Sequence, residues 1–355
     1  MNNLKKLGVT ALAGSLAAVS AQAGEMSMNG SANFTYYTTS KSEGKGIGTD
    51  KGLTVSGSGE LDNGWTFSVY SYFSDALSIS SHATSLTMGS LGTITAGQAF
   101  GGNSSSYDEE VPQAYEQTSD RQQNSANQVG NWMDNGGLTW TPPAFSIDGL
   151  GSIQAHVGFS PDADDAATNN GSVGTKSGNW GLGTDLGLTL TTDMGLTVGA
   201  YVAQRENEVP QDTGQHDEFN GSWYAKYTMG SVSVGYSEAY YDSGISAATV
   251  TAATTAKAIG TSAGVFENQQ MSIAFNVNDN LSISYTESED TYNDQSHQSS
   301  GTEIADVTQE TEALQAAYSM GGMTIKAFQM EASNPGWDSN ATKNTFSEIS
   351  IGLSF

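Results

Sequence analysis

The densest run of ionisable side chains lies in residues 100–135, a stretch without regular alternation of polar and apolar residues. It carries Asp108, Glu109 and Glu110 in succession, and Arg121 follows. Such a row of carboxylates can attract cations to an aqueous path, or it can belong to a solvated external loop. The residues alone leave both interpretations open.

A second acidic loop offers the one candidate metal site. Asp162, Asp164 and Asp165 could supply several oxygen ligands to Ca²⁺. Their spacing differs from that of an EF-hand loop, which has a glycine at its sixth position, and a solvated acidic loop is the alternative. We therefore expect no cofactor, with a structural Ca²⁺ at these aspartates as the only exception.

The sequence gives no sign of a catalytic site. The four histidines are scattered without metal-ligand spacing, and we recognise no nucleophile elbow. The chain contains no cysteine, so thiolate metal sites and disulfide bonds are excluded. We expect that the protein is not an enzyme.

The charge balance excludes nucleic acid as a partner. Thirty-eight acidic residues face 12 basic ones, and the formal net charge of −26 would repel phosphates. The chain is also too rich in aromatic residues for a disordered protein, with 15 Tyr, 12 Phe and 6 Trp.

Alternation with a period of two dominates the chain from residue 26 onward and predicts β-strands. The clearest hairpin spans residues 180–202, where Leu186, Leu188 and Leu190 share one face. The last strand places Ile351, Leu353 and Phe355 on its apolar face. We count sixteen such strands, and short turns alternate with long polar loops between them.

The N-terminus has the pattern of an export signal. Lys5 and Lys6 precede an apolar run that is too short to span a bilayer as a helix, and Ala21-Gln22-Ala23 is a cleavage site. We predict a signal peptide over 1–23 and a single barrel domain over 24–355.

These features together resemble the sixteen-stranded, trimeric general-diffusion porins of Gram-negative bacteria. The segment 91–98, which leads directly into the long stretch 100–135, and the terminal Phe355 carry the resemblance most specifically. It implies an all-β, closed antiparallel transmembrane barrel in the outer membrane, with short periplasmic turns, long external loops and a third loop folded inward. It also implies a homotrimer surrounded by outer-membrane lipids, and a barrel assembly machinery that reads Ile351, Leu353 and Phe355.

The resemblance also assigns roles to charged residues. The pore constriction would contain Asp108, Glu109, Glu110 and Arg121. The pore wall would carry Gln98, Asp185, Arg205, Lys226, Lys326 and Glu348. The family pattern has an arginine where this chain has Gln98, and alternation from Ile94 turns Gln98 outward unless a bulge at Gly97 redirects it.

The predicted function is passive diffusion of small hydrophilic solutes and ions. We expect a mild preference for cations, because the wall charges are nearly even and the excess of acidic residues is placed in the loops. The alternative is a non-porin outer-membrane barrel with a role in binding, adhesion or lipid transport. The position of residues 100–135, inside or outside the barrel, distinguishes the two.

Overall fold

A computed structural model of the chain describes residues 24–40, 45–75, 78–163, 180–208, 216–245, 255–260, 262–293 and 305–355. The predicted signal peptide lies outside these residues. The described part forms one sheet of the strands β1 Met26–Thr39, β2 Lys45–Glu60, β3 Thr66–Phe73, β4 Ile79–Thr87, β5 Thr93–Gln98, β6 Asn135–Thr141, β7 Phe145–Ile147, β8 Gly151–Ser160, β9 Trp180–Thr192, β10 Leu196–Asn207, β11 Glu218–Met229, β12 Val232–Asp242, β13 Val265–Asn278, β14 Leu281–Asn293, β15 Val307–Met320, β16 Met323–Ser333 and β17 Asn344–Ser354.

The sheet closes into a barrel of sixteen antiparallel strands, which confirms the predicted fold class. Closure occurs where β1 pairs with both β2 and β17. The segments β6 and β7 are two parts of one barrel strand, because both pair with β8 and the chain breaks between them at Pro142-Pro143. Proline cannot donate to the ladder, so pairing stops there.

The apolar face of the strands points out of the barrel, as predicted. Leu186 and Leu188 are 45% and 46% exposed, and their cross-strand partners Val202 and Ala200 share that face. Because side chains alternate along a strand, the residues between them face the lumen. Within the described residues no helix has the length and apolar character needed to cross a membrane.

Two local features go beyond simple alternation. β2 begins at Lys45 in a glycine-rich stretch, because this stretch pairs with β1 through Tyr37 and Thr38. The ring of Trp180 lies under the guanidinium group of Arg205, which is 4.2 Å from the ring centroid.

The outer wall carries an unexpected row of carboxylates toward the end that bears the long loops. Glu287 stands opposite Glu312, which stands opposite Glu331, and Glu289 stands opposite Glu310. These five residues and Glu238 and Glu267 occupy outward positions of β12–β16. We call them the outer glutamate row. The expectation that the excess acidic residues lie in the loops is therefore wrong for this part of the wall.

Candidate functional site

The connection between β5 and β6, residues 99–134, lies inside the barrel; we call it the third loop. It crosses the inner wall from β9 to β17. Tyr107 Oη accepts a hydrogen bond from Thr189 on β9 at 3.1 Å, and the Ala114 amide donates to Ser284 on β14 at 2.9 Å. Further along, the Tyr115 amide donates to Gln315 on β15 at 2.8 Å. Polar inward side chains of the wall thus bind both side chains and backbone amides of the loop.

Glu109 fixes the loop to the wall and does not line the pore. Its carboxylate is 3% exposed and accepts hydrogen bonds from the hydroxyl groups of Thr118, at 2.8 Å, and Ser119. Gln270 on β13 donates to it at 3.2 Å. Burial raises the pKa of Glu109. The assignment of Glu109 to the pore constriction is therefore wrong, because its oxygens accept hydrogen bonds from the loop itself and from Gln270 on the wall.

Two wall aspartates have the same anchoring role. Asp290 on β14 accepts the amide of Ser125 at 2.5 Å and its hydroxyl at 2.9 Å. Asp185 on β9 accepts from Asn103 at 2.8 Å and from Tyr201 at 2.9 Å, and it is 5% exposed. Asp185 was predicted as a pore-wall charge, but the third loop covers it. Asp290 was not singled out from the sequence, although its inward parity on β14 could have identified it.

Arg121 is the one basic residue in the sequence of the third loop, and it contacts the wall. Its guanidinium group lies 2.5 Å from Glu348 and 3.3 Å from Glu116, and 4.8 Å from the ring centroid of Phe346. Tyr115 donates to the other oxygen of Glu348 at 2.6 Å. Glu348 is thus a buried wall partner of the loop.

The other predicted wall cations stay close to acidic or aromatic groups on their own side of the barrel. Lys226 forms an ion pair with Glu110 of the third loop. Lys326 lies 4.6 Å from the ring centroid of Tyr115. Arg205 forms an ion pair with Glu218 at 2.6 Å. Like Asp290, Glu218 is an inward residue that was not predicted from the sequence.

Gln98 lies on the outer face and not on the pore wall. It pairs with His82 on β4, which pairs with Ser71 on β3, and Val69 of that same outward set is 40% exposed. A register irregularity does occur between β5 and β6 next to Gly97, but it shifts β6 and leaves the β4 pairing of Gln98 intact. The bulge therefore does not redirect Gln98.

The wall opposite the third loop is hydroxyl-rich and has no basic side chain among the described inward positions of β1–β6. Serine, threonine, asparagine and tyrosine dominate, and Asp50 and Glu60 are its charged residues. Counting all described inward strand positions, six carboxylates (Asp50, Glu60, Asp185, Glu218, Asp290 and Glu348) face three cations (Arg205, Lys226 and Lys326). The expectation of nearly even wall charges is wrong, because it left out four of these acids.

Two carboxylates of the third loop titrate near neutrality. Burial and the neighbouring charges of Glu109 and Glu110 raise the pKa of Asp108 to about 7. Burial raises the pKa of Glu116 to about 7, against the opposing effect of the Arg121 charge. The negative charge of the third loop thus depends on pH in the physiological range.

Two residues of the candidate calcium site, Asp164 and Asp165, lie outside the described residues. Asp162 is described, and no group of three or more metal-ligating side chains occurs in the described part of the chain. One Gly-x-Ser-x-Gly sequence, residues 260–264, leads into β13. It does not join a strand to a helix, so it lacks the context of a nucleophile elbow.

Several solved structures are similar to this barrel over most of its length. OmpF of Salmonella typhi, in a complex with daunomycin, matches with a TM-score of 0.68 and 14% identity over 94% of this chain and 98% of that chain. A trimer form of OmpT, an outer membrane protein of Vibrio cholerae, matches with a TM-score of 0.62 and 12% identity over 94% of this chain and 100% of that chain. A mutant of the Rh. blastica porin matches with a TM-score of 0.53 and 13% identity over 93% of this chain and 100% of that chain.

No family model and no curated protein matches the sequence. At identities of 12–14% these likenesses show the fold, which is the sixteen-stranded barrel of Gram-negative outer-membrane porins.

Proposed function

We propose that the protein is an outer-membrane channel through which small hydrophilic solutes and ions diffuse passively. One contrast in the lumen supports this most directly. Inward residues beside the third loop, such as Tyr201 and Gln315, are at most 2% exposed, whereas Tyr70, Tyr72 and Ser85 on the opposite wall are half-buried. The loop therefore fills one side of the barrel and leaves a polar face toward the other side. No catalytic step is needed for this role, and we propose none.

The channel prefers cations. Its described inward strand positions carry twice as many carboxylates as cations, and the sequence of the third loop adds six acidic residues against one basic residue, Arg121. Charges of one sign beside low-dielectric walls raise the local concentration of counter-ions. Screening shortens this effect to about 8 Å at physiological ionic strength, so the preference weakens in concentrated salt.

Planar-bilayer recording tests the proposal. Purified protein should form long-lived conducting pores, and a KCl gradient should give a zero-current potential of the sign expected for K⁺ preference. Well-folded protein that inserts without conductance would contradict the proposal and favour a binding, adhesion or lipid-transport barrel. An anion-selective pore would contradict the cation preference alone.

The protein further assembles as a homotrimer through the outer face of β3–β5. Ser71, His82 and Gln98 form a polar row there, and His82 Nδ1 is buried without a hydrogen-bond partner in the described residues. A polar atom without a hydrogen-bond partner is energetically unfavourable in contact with lipid, but it can form a hydrogen bond with a neighbouring subunit. The remaining outer wall contacts lipid. Native mass spectrometry should show three chains, and His82→Ala should lower the temperature at which the trimer dissociates; a monomer in mild detergent would contradict this assembly.

A further inference from the structure

The inner wall is recessed where β2 faces the third loop. The inward positions of β2 in this region are Gly46, Gly48, Asp50 and Gly52, so one carboxylate stands among three residues without side chains. The recess is a cavity of about 330 Å³. We call it the Gly48 alcove; it is lined by Thr35, Tyr37, Gly48, Thr49, Asp50, Arg121, Phe346 and Glu348.

Glycine at position 48 keeps the alcove open. A Cβ atom placed on Gly48 would meet nothing closer than the carbonyl oxygen of Thr35, at 4.0 Å. The flanking positions differ, because the ring of Tyr37 covers Gly46 and that of Tyr72 covers Gly52. A larger side chain at position 48 would therefore fit without strain and would fill the alcove.

Aromatic rings form one side of the alcove. Tyr37 stacks on Phe346 with 6.0 Å between ring centroids and 16° between ring planes. The guanidinium group of Arg121 lies against the Phe346 ring. Flat apolar groups pack well on such a pair, and the face of a tyrosine ring also attracts cations.

The charge of the alcove is negative. Arg121 contacts both Glu116 and Glu348, so its charge is more than offset. Asp50 adds a carboxylate with no basic neighbour among the described inward residues of its own wall, and Asn33 orients it by a hydrogen bond of 2.9 Å. Lys326 belongs to the Tyr115 contact and does not line the alcove.

We propose that the Gly48 alcove binds permeating solutes that join a primary ammonium group to an apolar ring. The ammonium group lies against Asp50, and the ring packs on Tyr37. The inference rests on the proposed channel function and names a class of solute that the channel holds during passage. An aromatic platform with a converging carboxylate in a cavity of this size is typical of a small-molecule site.

The test compares benzylamine, which is protonated at pH 7, with benzyl alcohol, its neutral counterpart of similar shape. Each is titrated into a conducting channel in a planar bilayer, and binding to the purified protein is measured in parallel by calorimetry. Benzylamine should reduce the ion current at concentrations about tenfold lower than benzyl alcohol. Galactose, a neutral polyol, should bind no better than benzyl alcohol.

Three variants locate the effect. Asp50→Asn and Gly48→Leu should each weaken benzylamine binding about tenfold, the first by removing charge and the second by filling space. Glu60→Gln removes an inward carboxylate near the opposite end of the same strand and should change binding less than twofold. Equal effects of Asp50→Asn and Glu60→Gln, equal binding of the two benzyl compounds, or preferred binding of galactose would overturn the inference. Calorimetric binding without conductance would contradict the channel proposal alone.

Discussion

Removal of the Glu109 carboxylate should release the third loop from the wall. In Glu109→Ala the hydroxyl groups of Thr118 and Ser119 and the amide of Gln270 lose their buried acceptor. Two of these bonds stabilise the folded loop and the Gln270 bond holds it to the wall. At about 1 kcal/mol for each bond, the folded and docked loop loses about 3 kcal/mol relative to a loop that is undocked and unfolded. The population of the undocked loop should therefore increase by roughly two orders of magnitude, since about 1.4 kcal/mol corresponds to a factor of ten.

The absence of cysteine from the chain makes this measurable with a single thiol. Ala126 lies in the third loop and is 2% exposed, so a cysteine at that position is protected while the loop is docked. The labelling rate of Ala126→Cys by a water-soluble maleimide should rise about 100-fold when Glu109→Ala is added. Glu110→Ala is the matched control.

That control removes the adjacent carboxylate, whose ion pair with Lys226 is partly exposed. Exposed pairs contribute at most about 1 kcal/mol, so labelling should rise less than about fivefold. Equal rates in the two variants would refute the view that Glu109 is the anchor.

Three further predictions concern charge and assembly. Cation preference, measured as the zero-current potential in a KCl gradient, should rise from pH 6 to pH 8, because Asp108 and Glu116, each with a pKa of about 7, lose their protons in that interval. The double variant Asp108→Asn, Glu116→Gln should flatten this pH profile. An unchanged slope would show that other groups cause the pH dependence. Arg121→Gln should increase the K⁺/Cl⁻ permeability ratio. Because the variant leaves buried Glu348 without its cation, it should also lower the free energy of unfolding by about 1.5–3 kcal/mol in a denaturant titration. An unaltered permeability ratio would place Arg121 outside the conduction path. Deletion of Phe355 should strongly reduce the amount of folded, heat-modifiable barrel in outer-membrane fractions, because Phe355 exchanges backbone hydrogen bonds with Gly30 where the barrel closes. The control Ser354→Ala should assemble normally. Equal yields of folded barrel from the two variants would contradict a role of Phe355 as an assembly signal.

The barrel could be predicted from the sequence because lipid and water impose opposite demands on alternate residues. Leu186 and Leu188 point outward, as their spacing indicates, and Glu348 and Lys226 point inward. Strand parity is a local property, so it needs no knowledge of distant contacts. Strand parity also predicted correctly that Gln98 points outward. The assignment of Gln98 to the pore wall was wrong because it followed the family pattern and not the alternation.

The interior of the site was harder to predict. Whether Glu109 faces water or the wall depends on Gln270, which is far away in sequence, and alternation says nothing about an irregular loop. Asp290 and Glu218 have inward parity, but only the path of the third loop explains why Asp290 is buried. The outer glutamate row was missed for another reason, namely the assumption that an outward strand position must be apolar.

The outer glutamate row also sets how thick a membrane the barrel can match. A strand tilted by about 40° rises roughly 2.6 Å per residue along the membrane normal. On β1, outward residues from Met26 to Tyr36 give an uncharged height of about 25 Å, whereas on β14 only about 15 Å separates Leu281 from Glu287. A bilayer of uniform thickness fits β1 and not β14, so it thins beside β12–β16 or the barrel tilts. Without a tilt, the lipid annulus of the proposed membrane-embedded barrel is asymmetric, with its thinnest part on the arc opposite the proposed subunit contact.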